Sequence, residues 1–311
     1  MSKLFSLVTP AHNEGANLEL LHAEVSKAFE GLNWELIIVN DGSTDDTFAV
    51  AKGLTQANRR VRLLSFSRNF GKEPALLAGL KAAAGDAVII LDSDLQHPPA
   101  VARQLAEKHE ETGADQVIAR RNRKGDGIIR TGLSRLFYRF INHLATVRLT
   151  DGEGDFRLLS RAAVDSLLAL PEHNRFSKGL YSWIGYPRET ITYENAPRAH
   201  GKTSWSMHGL FSYALSGVIG FSAKPLRVVT WLGMVGILFA FAYVIWLIVR
   251  WAMYGVEVDG YLTTIGVIVF IGSILMVSLG VIGEYIARIF EEVKNRPDYI
   301  IAHDIQQETG D

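Results

Sequence analysis

The chain has no cysteine in its 311 residues. That excludes a disulfide framework, a thiol nucleophile and any metal centre held by thiolates. It also has almost no net charge, formally −1 at pH 7, so no global basic field points to nucleic acid. Its Lys and Arg residues cluster instead, at 120–139 and at 198–227. The opening stretch, Met1 to Val8, has no signal-peptide core and runs straight into a turn at Pro10. The region that follows is therefore expected to remain in the cytoplasm.

The C-terminal third is rich in what those features lack. Val228 to Val249 and Tyr261 to Gly283 are uncharged and apolar, and each is long enough to cross a bilayer. The loop between them, Arg250 to Gly260, carries Glu257 and Asp259. Lys224 and Arg227 precede the first stretch, and Arg288, Lys294 and Arg296 follow the second. That bias puts both ends on the cytoplasmic side, with Trp231, Trp246, Trp251 and Tyr261 suited to the interfacial belts. Gly233, Gly236, Gly266, Gly272 and Gly280 allow close helix packing and are equally ordinary membrane-helix glycines. The tail from Asp304 is polar and expected to be disordered. The division expected is a catalytic domain over 1–204, a juxtamembrane helix over 205–227, a membrane hairpin over 228–285 and a tail over 286–311.

Residues 1–120 alternate strand and helix patterns. Strands are predicted at Phe5–Thr9, Glu35–Asn40, Val61–Ser65, Ala87–Leu91 and Gln116–Ala119. Helices are predicted at Asn17–Phe29, Asp45–Ala57, Lys72–Ala84 and Pro99–Glu111. This βαβα order makes an α/β domain with a parallel sheet covered by helices on both faces. Over 129–147, Leu133, Leu136, Phe137, Phe140, Ile141 and Leu144 form one helical face, with Arg130, Arg135, Arg139 and His143 off it. Two readings stand: a helix lying in the membrane interface, or one packed on the sheet. A second such segment runs from Trp205 to Phe221.

The chemistry gathers where strands open into loops, the usual ligand side of an open α/β sheet. The run Ala87–Leu91 ends in Asp92-Ser93-Asp94-Leu95-Gln96-His97-Pro98-Pro99. Two carboxylates one residue apart are hard oxygen ligands, suited to Mg²⁺ or Mn²⁺ carrying a diphosphate. Thr9-Pro10-Ala11-His12-Asn13-Glu14 and Asn40-Asp41-Gly42-Ser43-Thr44-Asp45-Asp46-Thr47 end the first two strands. They read as a nucleotide cradle, in which carboxylates accept from a base N–H or a ribose hydroxyl; each alone is equally an ordinary capped turn. Ser67-Arg68-Asn69-Phe70-Gly71-Lys72 opens the next helix and adds basic groups toward a phosphate.

The order P-x-x-N-E, N-D-G-S-x-D-x-T, S-R-N-F-G-K and D-S-D-L-Q-H-P-P resembles the family 2 inverting glycosyltransferases of the GT-A fold. Within them it is similar to the polyisoprenyl-phosphate glycosyltransferases, which include dolichyl-phosphate mannose synthases and bactoprenol glucosyltransferases. The resemblance spans roughly residues 4–300. It implies that Pro10, Ala11, Asn13, Glu14, Asp41, Ser43, Arg68, Lys72, Asp92, Ser93, Asp94 and Gln96 hold a nucleotide sugar. Asp92 and Asp94 would bind the metal. Gly154-Asp155-Phe156-Arg157-Leu158 resembles an element whose aspartate faces the acceptor, which makes Asp155 catalytic beside Asp94 and Arg198. Arg198 to Trp205 resembles a loop that closes over the phosphates, although Lys202 and Thr203-Ser204 depart from its pattern. Arg121, Arg123, Arg135, Arg157, Arg198 and Lys202 are the residues implied for the acceptor phosphate.

The function implied is inverting transfer of a sugar, glucose first, from a UDP-sugar to undecaprenyl phosphate at the cytoplasmic face of the bacterial plasma membrane. Mg²⁺ or Mn²⁺ would be the cofactor and the lipid bilayer a partner, with homo-oligomerisation an expectation of the resemblance. GDP-mannose and UDP-linked aminosugars or GlcNAc are the alternative donors. A processive polysaccharide synthase fits less well, because no Q-x-x-R-W motif is present. The reading of another class is a non-catalytic membrane scaffold or flippase partner.

Overall fold

The structure, a computed structural model, describes residues 3–122, 152–194, 222, 224–255 and 260–307. The N-terminal half is a run of alternating elements: β1 (Leu4–Ala11), α1 (Gly15–Ala28), β2 (Asn33–Asn40), α2 (Thr47–Ala57), β3 (Val61–Phe66), α3 (Lys72–Ala82), β4 (Ala87–Ile90), α4 (Pro99–Thr112) and β5 (Gln116–Arg121). Then come β6 (Glu153–Ser160), α5 (Arg161–Leu168), α6 (Ser177–Trp183) and β7 (Arg188–Tyr193). Two long helices, α7 (Lys224–Tyr254) and α8 (Tyr261–Lys294), precede β8 (Ile301–Gln306). All eight strands form one sheet in the order β7-β5-β6-β4-β1-β2-β3-β8.

Strands β1, β2 and β4 at the centre read as near-continuous apolar runs because both sheet faces are covered. Phe5, Leu7, Leu36 and Ile38 face a core completed by α1 and α4, while Val8, Ile37 and Val39 face the opposite core under α3 and α5. Helix ends follow local chemistry. Asp45 Oδ1 accepts the Thr47 N–H at 3.0 Å and its hydroxyl at 2.5 Å. That closes a turn at Asp45, so α2 begins two residues later than its sequence pattern suggests. Helix α4 opens on Pro99 and closes at Gly113 with φ 67°, the usual asymmetry of helix ends.

The sheet is mostly parallel, with two antiparallel strands. Strand β6 lies between β4 and β5 and is antiparallel to both. Strand β8 includes Asp304, where a disordered tail was expected, and pairs antiparallel with β3. Without it β3 would be an edge strand with a row of unpaired N–H and C=O groups. Side chains fix the join: Arg62 donates to both Asp304 oxygens, at 3.0 and 2.8 Å. Tyr299 stacks on Phe66 with ring centroids 4.9 Å apart.

Within α7 and α8, Leu226–Met253 and Thr264–Lys294 are 28 and 31 residues long and apolar enough to cross a membrane. At 1.5 Å per residue they span about 42 and 46 Å, more than the roughly 30 Å of a hydrocarbon core. Their large apolar side chains point outward, Phe239 at 72% and Met276 at 70% exposure. The end of α8 is tied to the sheet domain by polar contacts: Asp298 with His173 at 2.8 Å, and Glu292 accepting the His173 N–H at 3.1 Å. The amphipathic segments 129–147 and 205–221 lie outside the described residues.

Helix α3 lies directly on β1, and a Cβ at Gly79 would sit 2.2 Å from the Cγ1 of Val8. Val8 is β-branched and fully buried, so it has little room to yield. Gly79→Ala is expected to destabilise the domain by about 1–3 kcal/mol through overpacking, read as a lower denaturation midpoint in detergent.

Candidate active site

The carboxyl ends of β1, β2, β3 and β4 open on one side of the sheet, and their loops bond to one another. The Asp41 N–H donates to the Ala11 carbonyl at 2.9 Å. Its carboxylate accepts the Phe70 N–H at 2.7 Å and the Gly71 N–H at 2.9 Å. Asn13, at φ 57°, donates its N–H to Ser43 Oγ at 3.0 Å and accepts the Thr44 N–H at 2.8 Å. Glu14 accepts from the Asn17 amide at 2.5 Å. The Arg68 guanidinium lies over the Phe70 ring at 4.0 Å. Gly42 is required where these loops meet: its φ is 58°, and a Cβ would fall 2.1 Å from the Arg68 carbonyl carbon. The residues expected to cradle a nucleotide thus first hold one another. Asp41 and Asn13 are anchored, and each carboxylate oxygen of Asp41 retains a second lone pair for a ligand.

The antiparallel register of β6 against β4 sets Arg157 opposite Ile90. Continued two residues, it brings Asp155 across from Asp92. The Lys72 ammonium, from the first turn of α3, lies between them, 2.7 Å from Asp92 Oδ1 and 3.1 Å from Asp155 Oδ2. The other oxygen of Asp155 is buried with no hydrogen-bond partner among the described residues. Asp94 Oδ1 accepts the Gln96 N–H at 3.1 Å, an Asx-type turn that carries Leu95 to φ 61°. Ser93 donates to the Pro10 carbonyl at 3.2 Å, tying this loop to the end of β1.

Burial raises the carboxyls of Asp92 and Asp155, but the surrounding cations, Lys72 foremost, together outweigh it, and both sit below the usual carboxylate range. Lys178 of α6 adds a second cation toward both. Burial lowers Lys72 in turn, and the two carboxylates more than restore it, well above an ordinary lysine. Glu73, the next residue, behaves differently. Burial, then the Asp155 charge, pushes it up to about 7, against the hydrogen bonds it accepts from the N–H and hydroxyl of Ser177.

Some site residues carried no earlier assignment. His97 accepts the Asp92 N–H on Nδ1 at 3.0 Å, so its proton resides on Nε2. Burial keeps its pKa below the usual histidine value, and its ring stacks on Phe156 at 4.5 Å. Its only sequence signal was its place three residues past Asp94. Glu73, Ser177 and Lys178 had no sequence signal.

Arg157, implied for the acceptor phosphate, is 3% exposed. Its Nη2 donates to the Gly154 carbonyl at 2.6 Å and its guanidinium lies over the Tyr181 ring at 4.0 Å. Those contacts point it inward and make it a brace for the turn that carries Asp155. Arg121 is exposed at the end of β5. Arg123, Arg135, Arg198 and Lys202 lie outside the described residues.

Among the described residues no three His, Asp or Glu side chains converge as a ready-made metal cage. Two carboxylates at a strand end still fit Mg²⁺ or Mn²⁺ bound with a substrate diphosphate, because such ions use one or two carboxylates and take other ligands from phosphate and water.

The chain matches Glycosyl transferase family 2 over residues 6–168 and the GtrB C-terminal hairpin over residues 224–289. CsbB of Bacillus subtilis, a glycosyltransferase by name, is 47% identical over 96% of this chain and 91% of its own. The bactoprenol glucosyl transferase of Shigella phage SfV is 40% identical over 97% of this chain and 99% of its own. A mannosyltransferase from Pyrobaculum calidifontis shares the fold, with TM-score 0.50 and 14% identity over 73% of this chain and 65% of that one. The chain therefore belongs to glycosyltransferase family 2, with the GT-A arrangement of sheet and helices, and it is a glycosyltransferase.

A glutamate raised from 4.5 to about 7 keeps a proton in the folded state that the unfolded state has lost. Stability from Glu73 is thus full below about pH 4.5 and is lost as pH rises through about 7. Glu73→Gln is expected to flatten the fall in thermal midpoint across that window and to exceed wild type above it. Melting curves from about pH 5 to pH 8 check this.

Proposed function

We propose that the protein transfers a hexose, glucose in the first instance, from a UDP-sugar to undecaprenyl phosphate on the cytoplasmic face of a bacterial plasma membrane. What carries the reading is one observation. The match to a bactoprenol glucosyl transferase runs across nearly the whole of both chains, through the catalytic sheet and both apolar helices. The domain boundaries read from the sequence are kept here as part of that proposal.

In this reading the loops of β1, β2 and β3 hold the nucleotide through Pro10, Ala11, Asn13, Glu14, Asp41, Ser43 and Arg68. Asp92 and Asp94 hold a divalent cation, with Ser93 and Gln96 beside them. When bound, that cation neutralises charge on the departing diphosphate. Arg121, Arg123, Arg135, Arg198 and Lys202 serve the acceptor phosphate, countering the repulsion between two anionic substrates. An acceptor oxygen forms the new bond to the anomeric carbon. The bond from that carbon to the diphosphate breaks, UDP leaves with the electron pair, and the configuration inverts.

The acceptor needs little activation. The second pKa of a phosphate monoester is about 6, so it is largely dianionic near neutral pH. Asp155, held below the usual carboxylate range, is a poor general base and suits a positioning role instead. The hairpin reading has a geometric support as well. Strand β8 follows α8 and pairs with β3 of the sheet that precedes α7. A chain that leaves that sheet through one span and rejoins it after a second ends on its starting side, in keeping with the cationic residues at both ends.

The test is a transfer assay in detergent with undecaprenyl phosphate, Mg²⁺ or Mn²⁺, and a panel of radiolabelled nucleotide sugars. Label extracted into lipid from UDP-glucose supports the proposal. Label from GDP-mannose or a UDP-aminosugar reassigns the donor, and binding without lipid-linked label favours a non-catalytic scaffold. Asp94→Ala is expected to abolish transfer. Asp155→Asn is expected to keep measurable activity, within about 100-fold of wild type, below the typical worth of a general base, and with the pH dependence of wild type. A dead Asp155→Asn enzyme that still binds both substrates would sink the positioning role.

A further inference from the structure

Lys72 stands out in the molecule. It is a single ammonium in contact with both an aspartate of the proposed metal pair and the aspartate that faces the acceptor. A lone exposed ion pair contributes little, but this cation sits between two carboxylates that would otherwise repel, with Glu73 adjacent in the chain. Its position is built in: Gly71, at φ 102°, caps α3 and turns the chain so that Lys72 starts the helix beside the end of β4.

The same contact conflicts with a divalent cation. At 2.7 Å from Asp92 Oδ1, the ammonium holds a carboxylate that a metal would also take, and two cations against one carboxylate repel. The side chain can move, because it is 42% exposed on a flexible four-carbon stem. The groups able to receive it are Asp155, already at 3.1 Å, and the oxygens of a diphosphate.

We infer that Lys72 shares Asp92 with the metal, so that the metal binds tightly only when the donor diphosphate draws the ammonium away. This rests on the metal and donor reading given above. Lys72 is then a positioning residue that couples two binding events. The free enzyme resists a bare divalent ion, and metal and nucleotide arrive together. By linkage each tightens the other by the same factor.

The test needs no turnover. Mn²⁺ binding to the full-length protein in detergent is followed by the electron paramagnetic resonance of free Mn²⁺, without nucleotide. Lys72→Gln is expected to bind Mn²⁺ at least about 10-fold more tightly than wild type, within the usual range of such couplings. Lys72→Arg keeps the cation and is expected to stay as weak as wild type. UDP, compared at matched free Mn²⁺, is expected to tighten binding in all three through its own oxygens, and by a clearly smaller factor in Lys72→Gln than in wild type and Lys72→Arg. If Lys72→Gln binds no more tightly while Asp92→Asn still loses the metal, Lys72 has no such role and the metal reading stands. An equal gain from UDP in Lys72→Gln overturns the coupling in the same way. If Asp92→Asn leaves Mn²⁺ binding unchanged, the metal assignment and the inference fall together.

Discussion

Carboxylates gathered at one strand end repel, and much of this structure answers that repulsion. Two unit charges about 5 Å apart interact by roughly 3 kcal/mol at an effective dielectric near 20. Asp92 and Asp155 meet because β6 runs antiparallel beside β4. Lys72 from α3 and Lys178 from α6 counter them. Glu73 relieves the crowding differently, by holding its proton to about pH 7. Two strands and two helices are thereby held to one electrostatic centre, and their packing and the chemistry are hard to separate.

The side of the site proposed for the nucleotide follows another logic. Its loops are fixed by polar contacts: Asp41 by two backbone N–H groups, Asn13 by Ser43 and Thr44. A cradle already bonded to itself loses little freedom when a ligand arrives. The tight contact at Gly42 serves the same end, since any side chain there would force the loops after β2 and β3 apart.

The sequence reading held where the determinants were local. The five strands of residues 1–120 and the helices between them appeared close to their predicted bounds, because each carries its own periodicity. The DSD loop was found for the same reason: a β-branched run followed by acids is a local pattern. Non-local facts were invisible. Nothing in Gly154-Asp155-Phe156 says which strand it pairs with, yet that register decides what Asp155 faces. The resemblance put Arg157 at the acceptor phosphate, but no short motif tells that its guanidinium lies over the Tyr181 ring. Glu73 meets Ser177 from 104 residues away, and β8 finds β3 across two long helices. Short motifs do not record such distances.

The pairing of β8 with β3 has a consequence for biosynthesis. The ribosome makes β8 only after both apolar helices, so the edge of β3 stays open while they emerge. A half-made chain presents that bare edge together with unsheltered apolar surface, two recognised routes to aggregation. Strand β8 alone covers that edge in the finished sheet. Completion of the sheet thus comes only after both helices are made, and a chain stalled before β8 keeps bare the edge of β3 that a finished chain covers.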